Sequence, residues 1–142
     1  IDYGLERTGL AVSDPSERLV FPVATYVLHD YRNRSELLDA LAGTIQERGC
    51  GACVFGLPLK DGAETEMSRI VRNASKRLQR RTALPLFFFD ETLSSEEALQ
   101  DLRVCRVPVS KRKAVLDQQA AVRILETFLQ ARRDAAVHEF CV

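Results

Sequence analysis

Three carboxylates in this sequence stand in surroundings that solvent-facing acids rarely have. Asp2 lies in the first apolar stretch two residues ahead of a glycine, Glu91 follows an apolar run with Asp90 between them, and Asp117 precedes two alanines by one helical turn. Small residues on the inner face of a helix allow close approach to a sheet, which would bring Asp117 near the strand ends. Converging carboxylates repel one another unless cations lie between them, and oxygen ligands suit Mg²⁺ or Mn²⁺. The three acids therefore predict a site for two divalent ions that could hydrolyse a phosphodiester.

Each of these acids has a simpler explanation when it is taken alone. Asp117 could be a favourable charge in the first turn of a helix, and Glu91 could be a turn residue. The joint placement of the three acids favours the metal site over these alternatives. Gly4, two residues after Asp2, is expected to leave room there for a phosphate backbone.

Basic residues are concentrated in two segments that could contact such a backbone. The chain has 20 basic and 20 acidic residues, so its net charge gives no general argument for nucleic acid. Segments 67–89 and 103–113, however, contain bases and no acids. They predict phosphate contacts or, equally well on charge alone, solvated helix faces. The candidate nucleic-acid contacts are Arg7, Lys60, Arg72, Lys76, Arg80, Lys111 and Lys113.

The cysteines and histidines give little evidence of a functional site. Cys50 and Cys53 have the C-x-x-C spacing of redox or metal motifs, but no second pair accompanies them, so a structural origin is favoured. His29 and His138 stand alone, which argues against a zinc site or histidine catalysis. No phosphate-binding P-loop motif occurs.

Length and composition indicate one globular domain spanning 1–142. Hydrophobic residues make up 46% and charged residues 28% of the 142, which is ordinary for a folded domain. No apolar run is long enough to cross a membrane. The chain begins at Ile1 without methionine, so we expect the start of the first strand to be missing, with any targeting peptide ahead of it.

The elements that would position the acids follow from apolar periodicity and turn residues. Strands at 1–5, 10–12 and 19–28, with a turn at 6–9, predict an antiparallel meander in which Pro22 marks an edge or a bulge. The remaining segments are a helix from the N-cap Ser35 to Gly49, a strand at 52–57, a helix at 64–81, a strand at 84–89, a helix at 94–104 with a capping box from Ser94 to Glu97, a basic loop at 107–113 and a last helix at 114–135.

Four blocks of the sequence resemble the YqgF family, also called RuvX or Holliday junction resolvase-like proteins. The blocks are Asp2-Tyr3-Gly4 with Arg7-Thr8-Gly9-Leu10-Ala11-Val12; Phe55-Gly56-Leu57-Pro58-Leu59 with Asp61-Gly62; Phe89-Asp90-Glu91-Thr92-Leu93-Ser94-Ser95 with Ala98; and 113–117 with Ala120-Ala121 and Ile124-Leu125. Together they cover nearly the whole chain and are specific. Thr92 departs from the pattern, because the family usually has arginine at this position. An arginine beside the acids could hold a phosphate, so its replacement by threonine bears on substrate affinity.

The resemblance implies an α/β fold of the RNase H-like class, with a five-stranded mixed sheet in the order 3-2-1-4-5 flanked by helices. It also implies a Mg²⁺- or Mn²⁺-dependent nuclease site built from Asp2, Glu91 and Asp117. Family members are associated with processing the 5′ end of pre-16S ribosomal RNA and with resolving branched DNA. They are cytoplasmic in bacteria, and organellar forms would carry a transit peptide.

Three functions remain open at this point. The leading hypothesis is a nuclease that acts on structured RNA in ribosome biogenesis. The first alternative is a resolvase of four-way DNA junctions, which would favour a homodimer over a monomer. The second alternative is a non-catalytic RNase H-like module that binds nucleic acid.

Overall fold

A computed structural model describes residues 1–91 and 109–140, and in the second stretch it describes the side chains of residues 116–135. The described strands are β1 (Asp2–Tyr3), β2 (Arg7–Ser13), β3 (Val20–Val27), β4 (Cys53–Leu57) and β5 (Leu86–Asp90). The described helices are α1 (Arg34–Glu47), α2 (Glu66–Thr82) and α3 (Val109–Phe140), with one 3₁₀ turn at Leu28–Asp30. The protein is therefore an α/β protein, as predicted.

Strands β1, β2 and β3 form the antiparallel meander that the turn residues predicted. Asp2 pairs with Gly9 at one end of this sheet, and Ser13 pairs with Val20 at the other. The register shifts beside Pro22, which confirms the predicted edge or bulge, since proline has no N–H to donate to a neighbouring strand.

Strands β4 and β5 form a second, parallel sheet in which Cys53 pairs with Leu86 and Leu57 pairs with Asp90. The predicted single sheet in the order 3-2-1-4-5 is thus not confirmed, because the described strands form two hydrogen-bonded sheets, β1-β2-β3 and β4-β5. Ile1 nevertheless bonds to β4 directly. Its amino group donates to the Val54 carbonyl at 2.6 Å, and its carbonyl accepts from the Gly56 N–H at 3.0 Å.

The core is divided between the two faces of these strands. On one face, α1 and α2 contribute to a cluster of fully buried apolar side chains around Phe55. On the other, α3 packs on β2 through Ala11 and Ala121, and on β5 through the Phe128 ring, whose centroid lies 5.4 Å from that of Phe87. Ala120 and Ala121 are both buried on α3, and these two small residues allow the helix to approach the sheet closely, as the sequence predicted.

Several predicted boundaries were wrong. The turn expected at 6–9 is already strand from Arg7 onward, and the N-cap of α1 is Asn33, not Ser35, because the Asn33 side chain accepts from the Glu36 N–H at 3.0 Å. The basic loop expected at 107–113 is helical from Val109, where the bases at 111–113 are good helix formers. The predicted helix at 94–104 and Thr92 lie outside the described residues.

Cys50 and Cys53 are free thiols that belong to the core. Cys53 is buried at the start of β4, and Cys50 packs against the same apolar cluster. Burial raises the pKa of both thiols, the opposite of what a reactive or metal-binding thiol requires. Among the described helices, none has a stretch both long and apolar enough to span a membrane.

Candidate metal centre

Asp2 occupies β1 between two buried neighbours. Ile1 and Tyr3 are 6% and 5% exposed and belong to the core, so strand alternation turns the partly buried Asp2 to the opposite face. That is the face on which α3 lies, because Gly9, the partner of Asp2 in β2, abuts the backbone of Asp117. The first strand thus presents Asp2 towards α3.

Glu91 reaches the same region from the end of β5. Its N–H donates to the Leu57 carbonyl at 3.2 Å, which fixes the backbone directly after the strand. Its carboxylate lies above Gly56, where a Cβ would be 2.6 Å from Oε2 and would also meet the Ile124 side chain. Gly56 is therefore the residue that makes room for Glu91.

The Asp2 and Glu91 side chains are hydrogen-bonded to each other, with Glu91 as the donor. Burial, and then the negative charge of Asp2, raises the pKa of Glu91 to about 8. Burial also raises the pKa of Asp2, although the bond from Glu91 opposes this rise. Two acids that share one proton carry a single negative charge, and a cation between them would take the place of that proton.

Asp117 lies in the described part of α3, with its backbone seated on β2. A Cβ on Gly9 would run into the Asp117 carbonyl oxygen, so only glycine lets the helix lie this close. The Asp117 carboxylate forms an ion pair with Arg7, whose Nε is 2.9 Å from Oδ2, and the two side chains are 23% and 27% exposed, respectively. Oδ2 is shielded from solvent and makes no well-aligned hydrogen bond, so its contact with Arg7 is one of charge.

The three predicted acids therefore meet on one face of the strands but divide into a proton-sharing pair and an ion pair. Among residues 1–91 and the described side chains of α3, no three acidic, histidine or cysteine side chains form a ready-made metal cluster. The donor set still fits a hard divalent ion, since it consists of carboxylate oxygens, and those of Asp2 and Glu91 are already within hydrogen-bond reach of each other.

Glycines are the functional positions that the sequence analysis missed. Gly9 seats α3 and Gly56 accommodates Glu91, and neither was singled out. The signal for Gly9 was the pair of small residues Gly9 and Ala11 on alternate positions of β2, matching the small residues of α3. Gly4 was expected to leave room for phosphate, but its Cβ would meet the Arg7 carbonyl, so its small size serves the tight turn between β1 and β2.

The predicted nucleic-acid contacts are spread over several surfaces. Arg7 lies at the acids, whereas Lys60 is exposed in the loop after β4, at the strand end where Glu91 lies. Lys76 and Arg80 are exposed on α2. Arg72 is engaged by the protein itself, because its Nε donates to Glu64 at 2.8 Å and its guanidinium lies 4.9 Å from the Phe88 ring centroid. The side chains of Lys111 and Lys113 lie outside the described residues.

A cavity of about 790 Å³ lies between β2 and β4 and is lined largely by apolar side chains, including Phe21, Phe87 and Phe128. None of the three acids lines it. The candidate metal centre is therefore separate from this cavity.

Comparison with known proteins agrees with the resemblance seen in the motifs. The model of the family described as "RuvX: Holliday junction resolvase" matches residues 1–131. The chain is 44% identical over 138 residues to a protein of Oleidesulfovibrio alaskensis, covering 96% of this chain and 94% of that one. It is 47% identical over 130 residues to a protein of Nitratidesulfovibrio vulgaris strain DP4, covering 91% and 89%. A protein of Neisseria gonorrhoeae is 39% identical over 130 residues, covering 91% and 84%. All three relatives are named "Putative pre-16S rRNA nuclease". The chain belongs to the RuvX family.

Proposed function

We propose that this protein is a nuclease that processes the 5′ end of pre-16S ribosomal RNA and depends on Mg²⁺ or Mn²⁺. The names of its relatives support the substrate, and membership of the RuvX family supports hydrolysis of nucleic-acid ester bonds. One observation carries the metal dependence: two partly buried acids, Asp2 and Glu91, are hydrogen-bonded to each other beside the place where the Asp117 backbone contacts the sheet. The relatives are bacterial, so we expect the protein to act in the cytoplasm.

Asp2, Glu91 and Asp117 would hold the metal, whose chemistry there is to polarise a phosphoryl oxygen and make water a better nucleophile. The residues of the chain perform the supporting steps. Glu91 must give up its proton, and the ion pair of Asp117 and Arg7 must separate. Arg7 can then face a phosphate, while exposed bases such as Lys60 and Lys76 contact the backbone without reading its sequence.

We also infer that the two sheets act as one sheet in the order 3-2-1-4-5, as in an RNase H-like fold. The bonds from Ile1 to Val54 and Gly56 support this order, since a residue bonded to two positions that flank one partner is the pattern of a parallel pair. Because α3 packs on both β2 and β5, it supports the order as well. In this arrangement β1 and β4 bring Asp2 and Gly56 side by side.

A second candidate function has a specific observation in its favour. The family that matches this chain is described as Holliday junction resolvase, so four-way DNA is an alternative substrate for the same three acids. The two candidates share the site and differ in the nucleic acid that reaches it.

The test is a cleavage assay on precursor ribosomal RNA and on a synthetic four-way DNA junction, with and without Mn²⁺. Asp2→Asn and Asp117→Asn should abolish cleavage while circular dichroism shows both proteins folded. Asp134→Asn is the matched control, because Asp134 is an exposed acid on the same helix as Asp117. Unimpaired cleavage by both site variants would refute the proposed site. Cleavage of the junction but not of the RNA by wild type would identify four-way DNA as the substrate.

A further inference from the structure

The three acids have different neighbours. Asp2 and Glu91 are hydrogen-bonded to each other, whereas Asp117 faces the guanidinium of Arg7 at 2.9 Å. Arg7 and Gly9 are alternate residues of β2, so Arg7 projects from the face on which α3 is seated. The cation facing Asp117 therefore comes from the strand that anchors its helix.

The backbone of Arg7 is held in the sheet, whereas its side chain is partly exposed. Arg7 pairs with Val27 in the ladder, and its carbonyl closes against Gly4 in the preceding turn. The guanidinium, by contrast, belongs to a side chain that is 27% exposed and meets Oδ2 without good hydrogen-bond alignment. A rotation of the side chain alone would separate the pair and leave the strand unchanged.

A divalent ion bound at Oδ2 of Asp117 would stand beside the Arg7 guanidinium, and the two cations would repel each other. We propose that Arg7 is the internal counter-cation of Asp117, which competes with the divalent ion for this carboxylate and is released when the ion binds. The inference rests on the proposed metal-dependent function and deepens it. Arg7 is then a positioning residue: it holds the Asp117 carboxylate in place until the ion binds, and once released its guanidinium is free to meet a substrate phosphate.

A purely structural role for Arg7 makes a different prediction. If Arg7 served only to tie α3 to the sheet, its loss would lower stability and leave the affinity for metal unchanged or weaker. If Arg7 competes with the metal, its loss must strengthen metal binding. The affinity of the protein for Mn²⁺ without nucleic acid therefore separates the two roles.

The experiment is titration calorimetry of Mn²⁺ into the full chain, with circular dichroism to verify folding. Arg7→Gln is expected to bind Mn²⁺ about two- to fivefold more tightly than wild type, the factor that corresponds to a partly exposed ion pair. Arg7→Lys keeps the charge and should bind as wild type does. Arg132→Gln is the matched control, because Arg132 on α3 pairs with Glu17 at 3.4 Å without touching the three acids. Equal or weaker binding by folded Arg7→Gln would overturn the inference.

A second measurement needs no variant. In wild type, the Nε–H resonance of Arg7 should shift as Mg²⁺ is added, at the same concentration that saturates the site. A resonance that stayed constant through saturation would overturn the proposed release. Wild type that bound no divalent ion would overturn both this inference and the metal site, whereas wild type that bound Mn²⁺ and cut no nucleic acid would contradict only the nuclease function.

Discussion

Gly56→Ala should damage the metal centre through one added methyl group. The new Cβ would lie 2.6 Å from Oε2 of Glu91, whereas ordinary contact begins near 3.4 Å. The Glu91 carboxylate must therefore move by roughly 0.8 Å, unless the Cβ itself shifts. Since a misplacement of about 1 Å can cost about a hundredfold in rate, we expect cleavage to fall by that order.

The same methyl group also meets the side chain of Ile124, so Gly56→Ala should lower the free energy of unfolding by about 1–3 kcal/mol through overpacking. Ile124→Val removes the Cδ1 atom that the methyl group meets. The double variant should regain much of the stability, measured by urea unfolding, yet remain slow in cleavage, because Glu91 is still displaced.

Gly51→Ala is the matched control, since Gly51 precedes the same strand and a Cβ there has open space. It should cut at the wild-type rate. A Gly56→Ala protein that also cut at the wild-type rate would refute the placement of Glu91 over Gly56. Recovery of cleavage along with stability in the double variant would show that general packing, not the position of Glu91, was responsible.

Two further predictions concern pH and salt. The pKa of Glu91 is raised from an ordinary 4.5 to about 8, so the proton on Glu91 stabilises the folded state fully below pH 4.5. As the pH rises from 4.5 to about 8, this stabilisation is lost, and the free energy of unfolding falls by at most about 1.4 kcal/mol per pH unit. Urea unfolding from pH 5 to 9 should show this decline in wild type and not in Glu91→Gln; parallel curves would contradict the shared proton. Lys76→Ala and Arg80→Ala should each weaken binding to all RNA sequences alike and reduce the slope of log affinity against log salt by about 0.7–0.9, whereas an unchanged slope would remove α2 from the interface.

The sequence was informative where a local pattern has one physical outcome. Apolar runs followed by an acid correctly placed Glu91 directly after strand β5, and the small residues of α3 predicted its close approach to the sheet. The bulge at Pro22 followed from a missing N–H. These features depend on residues near one another in the chain.

The partners across the fold could not be predicted in this way. Whether Arg7 faces α3 or the opposite face depends on the register of β2, and a shift of one residue would reverse every side chain of that strand. The expected turn at 6–9 hid this register, so Arg7 was assigned to phosphate without its pairing to Asp117. Likewise, the need for glycine at position 56 depends on where the Ile124 side chain lies, and that position is set by packing across the fold.

The contact between the Asp117 backbone and Gly9 also determines when the three acids can first come together. Synthesis proceeds from the N-terminus, so β1 and β2 emerge from the ribosome long before α3, and contacts distant in sequence form late. Asp117 therefore joins Asp2 and Glu91 only once α3 has been synthesised and has docked on the sheet.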